Sequence, residues 1–232
     1  ARYSLVVVFA AVIAFFSLKN TDIFFTWRNA QTIASTQAVI AVLALAAMMP
    51  LVVGEFDISV GFQLGLAQGL CAGLIVKQGL PWPLAIAITL AVGCLGGLVN
   101  GILVVGLGMS AFIATLGSGT VILATTQWYT RDEPITGDFA SAFTSIGRST
   151  VLGVPLPLVY VLVICVALWL ALEYTAWGRS CFATGGNRRA AQLAGVRVDR
   201  VTVHAFVLAG FLSACAGTFD TVRRPIAVNG VG

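Results

Sequence analysis

Seven stretches of this chain are apolar over nearly the length needed to cross a lipid bilayer, and no other feature limits its fold so severely. A helix rises about 1.5 Å per residue, so about 20 mostly apolar residues span the hydrocarbon core. Residues 3–18, 33–54, 59–76, 82–106, 111–129, 155–176 and 202–222 are the candidates. Of the 232 residues, 59% are hydrophobic and only 9% are charged, whereas a soluble domain has roughly a quarter of its residues charged. Such a chain cannot cover itself with polar surface in water. The expectation is an all-α, polytopic transmembrane bundle, one domain over residues 1–232, with seven spans.

The first stretch is short and follows Arg2, which raises the possibility of a signal peptide. The sequence FFSLKN after it is not a small-x-small cleavage site, so a retained span is expected. Phe24, Phe25 and Trp27 then suit a segment lying at headgroup level.

Residues 178–200 separate the last two spans and carry Arg179, Arg188, Arg189, Arg197 and Arg200. A compact basic island between spans reads as a cytoplasmic loop. Six crossings then precede it, so the N-terminus is also cytoplasmic and residues 130–154 lie outside. The totals do not decide this, because seven basic residues fall outside and six inside; the density within one short loop does. The net charge of +4 sits in loops rather than on one face, which argues against nucleic acid as a partner.

Glycines recur every four residues at Gly61, Gly65, Gly69 and Gly73, and again at Gly93, Gly97 and Gly101. Each set is a stripe on one helix face. Small residues at this spacing let helices approach closely in lipid; a stripe lining a pathway is the alternative. Between the second and third spans, residues 54–61 read GEFDISVG, with Glu55 and Asp57 close to apolar runs. A charge at membrane depth is costly, and irregular backbone there is tolerated only where it is buried in protein or lines a wet cavity. Three accounts fit: a turn at the membrane surface, a cap on the next helix through Asp57 or Ser59, or contact with a solute. Asn100, Thr115 and Ser118 are further polar residues within spans, able either to bind a neutral solute or to bond neighbouring helices. Asp220 with Arg223 and Arg224 reads as an interfacial charge cluster.

Much chemistry is missing. The sequence lacks G-x-x-x-x-G-K-[ST] and G-x-S-x-G, and its single histidine, His204, excludes a His-pair metal site. The cysteines lack metal-ligand spacing and read as small buried side chains. Neither catalysis nor a cofactor is expected of this chain, and any ATP hydrolysis must come from another subunit.

Three segments carry a resemblance. TQAVIAVLALAAMMPLVVGEFDISVG, SAFIATLGSGTVI and GRSCFATGGNRRAAQLAGVRVDRV are similar to the permease subunit of bacterial ABC sugar importers of the ribose type. The family's G-R-x-x-x-A-x-G-G-N-x-x-A-A-x-x-x-G pattern stands here as Gly178, Arg179, Ala183, Gly185, Gly186, Asn187, Ala190, Ala191 and Gly195. The resemblance implies an inner-membrane subunit that moves a monosaccharide by alternating access. It also implies cytoplasmic ATP-binding cassette subunits, a periplasmic binding protein and a second permease copy. The 178–200 loop would hold the coupling helix that seats in the ATPase: Asn187 caps Arg188–Leu193, Gly195 ends it, Ala190, Ala191 and Leu193 form a small apolar face, and Arg188 and Arg189 form its rim. An ordinary solvated loop is the plainer reading of the same residues. The resemblance also implies about ten spans, so the chain is expected to be shorter than its family. Other readings are a branched-chain amino-acid permease, an ion-coupled secondary transporter using Glu55 and Asp57, or a non-transporting membrane scaffold. The expected solute pathway comprises Glu55, Asp57, Ser59, Asn100, Thr115 and Ser118.

Overall fold

The computed structural model describes residues 4–151, 153–223 and 226–227; Arg2 and Arg224, which enter the charge arguments, lie outside them. Helix α1 (Ser4–Lys19) and the short α2 (Thr21–Phe24) lead into α3 (Trp27–Val52). Helices α4 (Ser59–Val76), α5 (Trp82–Gly106) and α6 (Ala111–Thr130) follow. A connecting region then holds β1 (Ile135–Thr136), α7 (Ser141–Arg148), β2 (Thr150–Val151) and β3 (Val154–Pro155). The chain continues through α8 (Leu156–Tyr174), α9 (Ala176–Gly186), α10 (Arg188–Leu193), α11 (Val198–Arg223) and β4 (Ile226–Ala227). Strand β1 pairs antiparallel with β4, and β2 with β3.

Among the described residues, five helices are both long and apolar enough to cross a membrane: α3, α4, α5, α8 and α11. The all-α polytopic membrane architecture therefore stands, whereas the count of seven spans is not reached by these criteria. Helix α1 has only 16 residues. Helix α6 has 20, but Thr115, Ser118, Thr120, Thr125, Thr126 and Gln127 dilute its apolar character.

Hydrogen bonds and ring contacts fix how the helices alternate. At one end, Ser59 at the start of α4 meets Asn100 late in α5, and Ile58 meets Thr115 early in α6. At the other end, Lys77 Nζ donates to the Tyr129 carbonyl, Trp82 packs on Phe143, and Arg223 donates to Thr36. Helices α3, α4, α5, α6, α8 and α11 thus run up and down in turn. The 178–200 loop shares an end with the α3–α4 and α5–α6 connectors, and α7 lies at the opposite end.

Helix α11 is central. It packs against α3, α4 and α5, and 72% of its most apolar stretch is buried, against 22% for α8. The second glycine stripe explains the closeness. A Cβ at Gly97 would overlap the Phe206 carbonyl, and one at Gly93 would overlap Ala214 and Gly210. Of the first stripe, Gly69 abuts Thr130 and Gly73 abuts Tyr129. These contacts match the helix-packing reading of the stripes. Hydroxyls inside the helices fold back on the preceding turn: Thr89, Thr126, Ser213 and Thr218 each donate to the carbonyl four residues earlier. This satisfies them where no water is at hand. On the outside, Leu95, Ile113, Val121, Leu162 and Trp169 are exposed, as lipid-facing side chains are.

Candidate functional site

Two sequence segments more than a hundred residues apart build one elbow. Helix α3 ends in a left-handed glycine, Gly54 at φ +83°. Gly54 N–H bonds the Leu51 carbonyl at 3.0 Å and Glu55 N–H bonds that of Pro50 at 2.9 Å, which is a Schellman ending. Against this turn lies the last turn of α9. A Cβ on Gly185 would overlap the Val52 carbonyl and stand 3.3 Å from Gly54 N. The two segments therefore touch backbone to backbone.

Asn187 then caps α10, its side-chain oxygen accepting from Ala190 N–H at 2.9 Å. The helix ends as α3 does. Gly195 sits at φ +85°, its N–H bonding the Gln192 carbonyl at 2.9 Å and Val196 N–H that of Ala191 at 3.0 Å. Both boundaries of the expected Arg188–Leu193 helix are found.

The faces of α10 differ from the sequence expectation. Ala191 is buried and points inward, while Leu193 is 83% exposed, so Ala190, Ala191 and Leu193 do not form one outward patch. Ala190 and Arg189 are exposed beside Leu193. Arg188 is not merely a rim charge: Nη1 donates to Glu55 Oε1 at 3.0 Å and Nη2 to Asp199 Oδ1 at 3.2 Å. The Arg188 side chain is 38% exposed and that of Asp199 65%. A pair as open to solvent as Arg188–Asp199 stabilises a fold by about 0.5 kcal/mol, whereas the Glu55 side chain, 21% exposed, is the more sheltered partner. Gly186 has open space around it.

Just beyond the elbow lies a buried polar node. Asp57 Oδ1 accepts from Ser59 N–H and from Ser59 Oγ, both at 2.7 Å. Ser59 Oγ in turn accepts from Asn100 Nδ2 at 2.7 Å and Gln63 Nε2 at 2.8 Å. Ile58 N–H donates to Thr115 Oγ1 at 3.1 Å. Asp57, Ser59, Gln63, Asn100 and Thr115 are all buried. Of the three accounts of GEFDISVG, Asp57 serves as a cap on the first free N–H of α4, and Glu55 lies in the turn. Burial raises the pKa of the Asp57 carboxyl, outweighing the hydrogen bonds from Ser59 that lower it. Asp57 Oδ2, Gln63 Oε1 and Asn100 Oδ1 are buried acceptors without a protein donor.

The structure thus joins Asp57, Ser59, Asn100 and Thr115, and sets Glu55 in the elbow beside them. Ser118 stays apart, donating to the Thr115 carbonyl of its own helix at 3.2 Å. Gln63 was missed by sequence reasoning, although its i+4 spacing from Ser59 puts both on one face of α4. Asp220 pairs with Arg223 in the expected charge cluster, but the carboxylate is not at the surface. It is buried, accepting from Gln68 Nε2 at 2.9 Å and Arg223 Nη2 at 2.9 Å. Among the described residues no group of three or more His, Cys, Asp or Glu is arranged to hold a metal ion.

Residues 29–229 match a protein family described as branched-chain amino acid transport system / permease component. The chain belongs to this family. Curated relatives within reach are named for other solutes. The ribose import permease protein RbsC of Haemophilus influenzae is 36% identical over 215 residues, covering 91% of this chain and 66% of that protein. Its namesake in Bacillus subtilis is 39% identical over 187 residues, covering 80% and 58%. The autoinducer 2 import system permease protein LsrD of Salmonella typhimurium is 35% identical over 183 residues, covering 76% and 54%. The chain therefore spans between about half and two thirds of the length of these permeases. No solved structure matches it significantly.

Proposed function

We propose that this chain is the membrane-spanning permease subunit of an ATP-binding cassette importer for a monosaccharide, working by alternating access. The observation that carries the reading is the seating of the 178–200 loop on the GEFDISVG elbow. Helix α10 is the coupling helix: it presents Leu193, Ala190 and Arg189 to a cytoplasmic ATPase. Closure of the ATPase pair pushes α10. The push passes through the Gly185–Gly54 backbone contact and the Arg188–Glu55 pair to the start of α4. The Asp57–Ser59–Asn100 node then carries it to α5 and, through Thr115, to α6.

The monosaccharide class is favoured over a branched-chain amino acid by the names of the ribose and autoinducer 2 relatives. An ion-coupled mechanism is less favoured, because Glu55 is engaged with Arg188. Further parts of the reading are seven crossings, with α1 and α6 included, a cytoplasmic N-terminus, and a single transmembrane domain in the bacterial inner membrane. Its partners are two ATPase subunits, a periplasmic binding protein and a second permease copy.

The test is charge exchange in the full-length protein, reconstituted with its ATPase and binding protein. Arg188→Glu and Glu55→Arg should each lower sugar-stimulated ATPase activity and uptake at least about fivefold, within the usual range of coupling energies. The double exchange should recover much of both. Full coupling in both single variants would defeat the proposal.

A further inference from the structure

At the end of the bundle opposite the 178–200 loop, three arginines border one pocket. It has a volume of about 430 Å³ and is lined by Arg28, Gln31, Thr32, Ser35, Arg148 and Arg223, among others, with no acidic residue among the described residues of its wall. Arg223 is held in place: Nη2 donates to Asp220 Oδ1 at 2.9 Å and Nη1 to Thr36 Oγ1 at 2.8 Å. Its buried Nε has no protein partner. Arg148 lies in the last turn of α7, where a cation complements the helix end. Arg28 has no such offset. It stands in the first turn of α3, a turn without any acidic residue, so its charge adds to the positive end of the helix dipole instead of neutralising it. Asp220 offsets one charge of three; the remainder calls for an anion.

The depth of the pocket indicates which anion. Trp27, next to Arg28, is 66% exposed, and Phe25 is 74% exposed; exposed aromatic rings of this kind mark the headgroup level of a bilayer. Farther along the same helices, Ile40 of α3 and Leu162 of α8 are exposed to the hydrocarbon. A second pocket at this end, lined by Lys77, Arg131 and Glu133, is mixed in charge and lacks the first pocket's bias.

We infer that the Arg28–Arg148–Arg223 pocket binds the phosphate of an anionic phospholipid, clamping the ends of α3, α7 and α11 at this pole of the bundle together. Guanidinium groups suit phosphate because their planar donors match its oxygens. The inference needs only a membrane location and does not depend on the transported solute.

Native mass spectrometry of the detergent-purified full-length protein tests it, with phosphatidylglycerol or phosphatidylcholine titrated in. The wild type should retain phosphatidylglycerol at least about tenfold better, and Arg28→Gln with Arg148→Gln should abolish the preference, as expected for two cations near a lipid surface. Arg28→Gln alone, at an exposed helix start, should weaken it partially, which guards against misfolding of the double variant. Arg131→Gln, in the mixed pocket, should leave it intact. Equal retention of the two lipids by the wild type, or an unchanged preference in the double variant, would overturn the inference. So would displacement of the lipid by millimolar inorganic phosphate, which would make this a free-anion site. Loss of stimulation by the binding protein with lipid preference intact would overturn it too, reassigning the pocket to an acidic protein surface.

Discussion

At Gly185 and Gly186 two identical neighbours do opposite work. A methyl on Gly185 would overlap the Val52 carbonyl, while one on Gly186 would enter open space. Gly185→Ala must separate α9 from the end of α3, and overpacking of this kind costs about 1–3 kcal/mol. Gly186→Ala has normal helical backbone and room for its methyl; it should stabilise by about 0.5 kcal/mol through reduced freedom of the unfolded chain. Thermal unfolding of the purified protein checks both: a melting point at least about 2 °C lower for the first, unchanged or slightly higher for the second. Equal effects would refute the backbone contact. The doubled glycine is legible as a motif in the sequence, but its asymmetry is not, because nothing local distinguishes the two positions. The same holds for Arg188. Its charge is evident in the sequence, yet its partner Glu55 lies 133 residues away, beyond the reach of any spacing argument.

Among the elements, α10 was the most legible and its packing the least. Asn187 and Gly195 bracket the helix in the sequence, and both perform the expected local bonds. Capping chemistry acts within a few residues and so can be read along the chain. Which face turns inward depends on α9 and α11, and here Ala191 is buried while Leu193 is not. A six-residue helix has little propagation to sustain it, so its cap matters. Removing the cap by Asn187→Ala should cost about 1 kcal/mol, confined to the loop. Hydrogen exchange should quicken at the amides of residues 190–196 and stay slow in α11. Protection unchanged at 190–196 would mean that packing of Ala191, not the cap, holds the helix. The glycine stripe of α5 was legible for the same reason as the cap: its period is local. That its partner would be α11, rather than a neighbour in sequence, was not.

In the whole molecule, six helices alternate, and the buried polar node and the arginine pocket end up at opposite poles. Apolar length alone reveals most of these helices, because the bilayer fixes how long a span must be. It is a poor guide to α1 and α6, one short and the other rich in hydroxyls. The alternation makes a direct prediction. Arg189→Cys and Ser145→Cys, both at exposed positions, should react with a membrane-impermeant maleimide from opposite sides of the membrane. Four native cysteines lie in spanning helices and Cys181 is buried, so background labelling should be low. Labelling of both from one side would break the topology. The elbow has one more consequence. Side chains at an interface can change rotamer and absorb a small displacement before passing it on. Gly54 and Gly185 have none to turn, so the loop and the α3–α4 bend share a joint without play, in which even a sub-ångström shift of one is felt by the other.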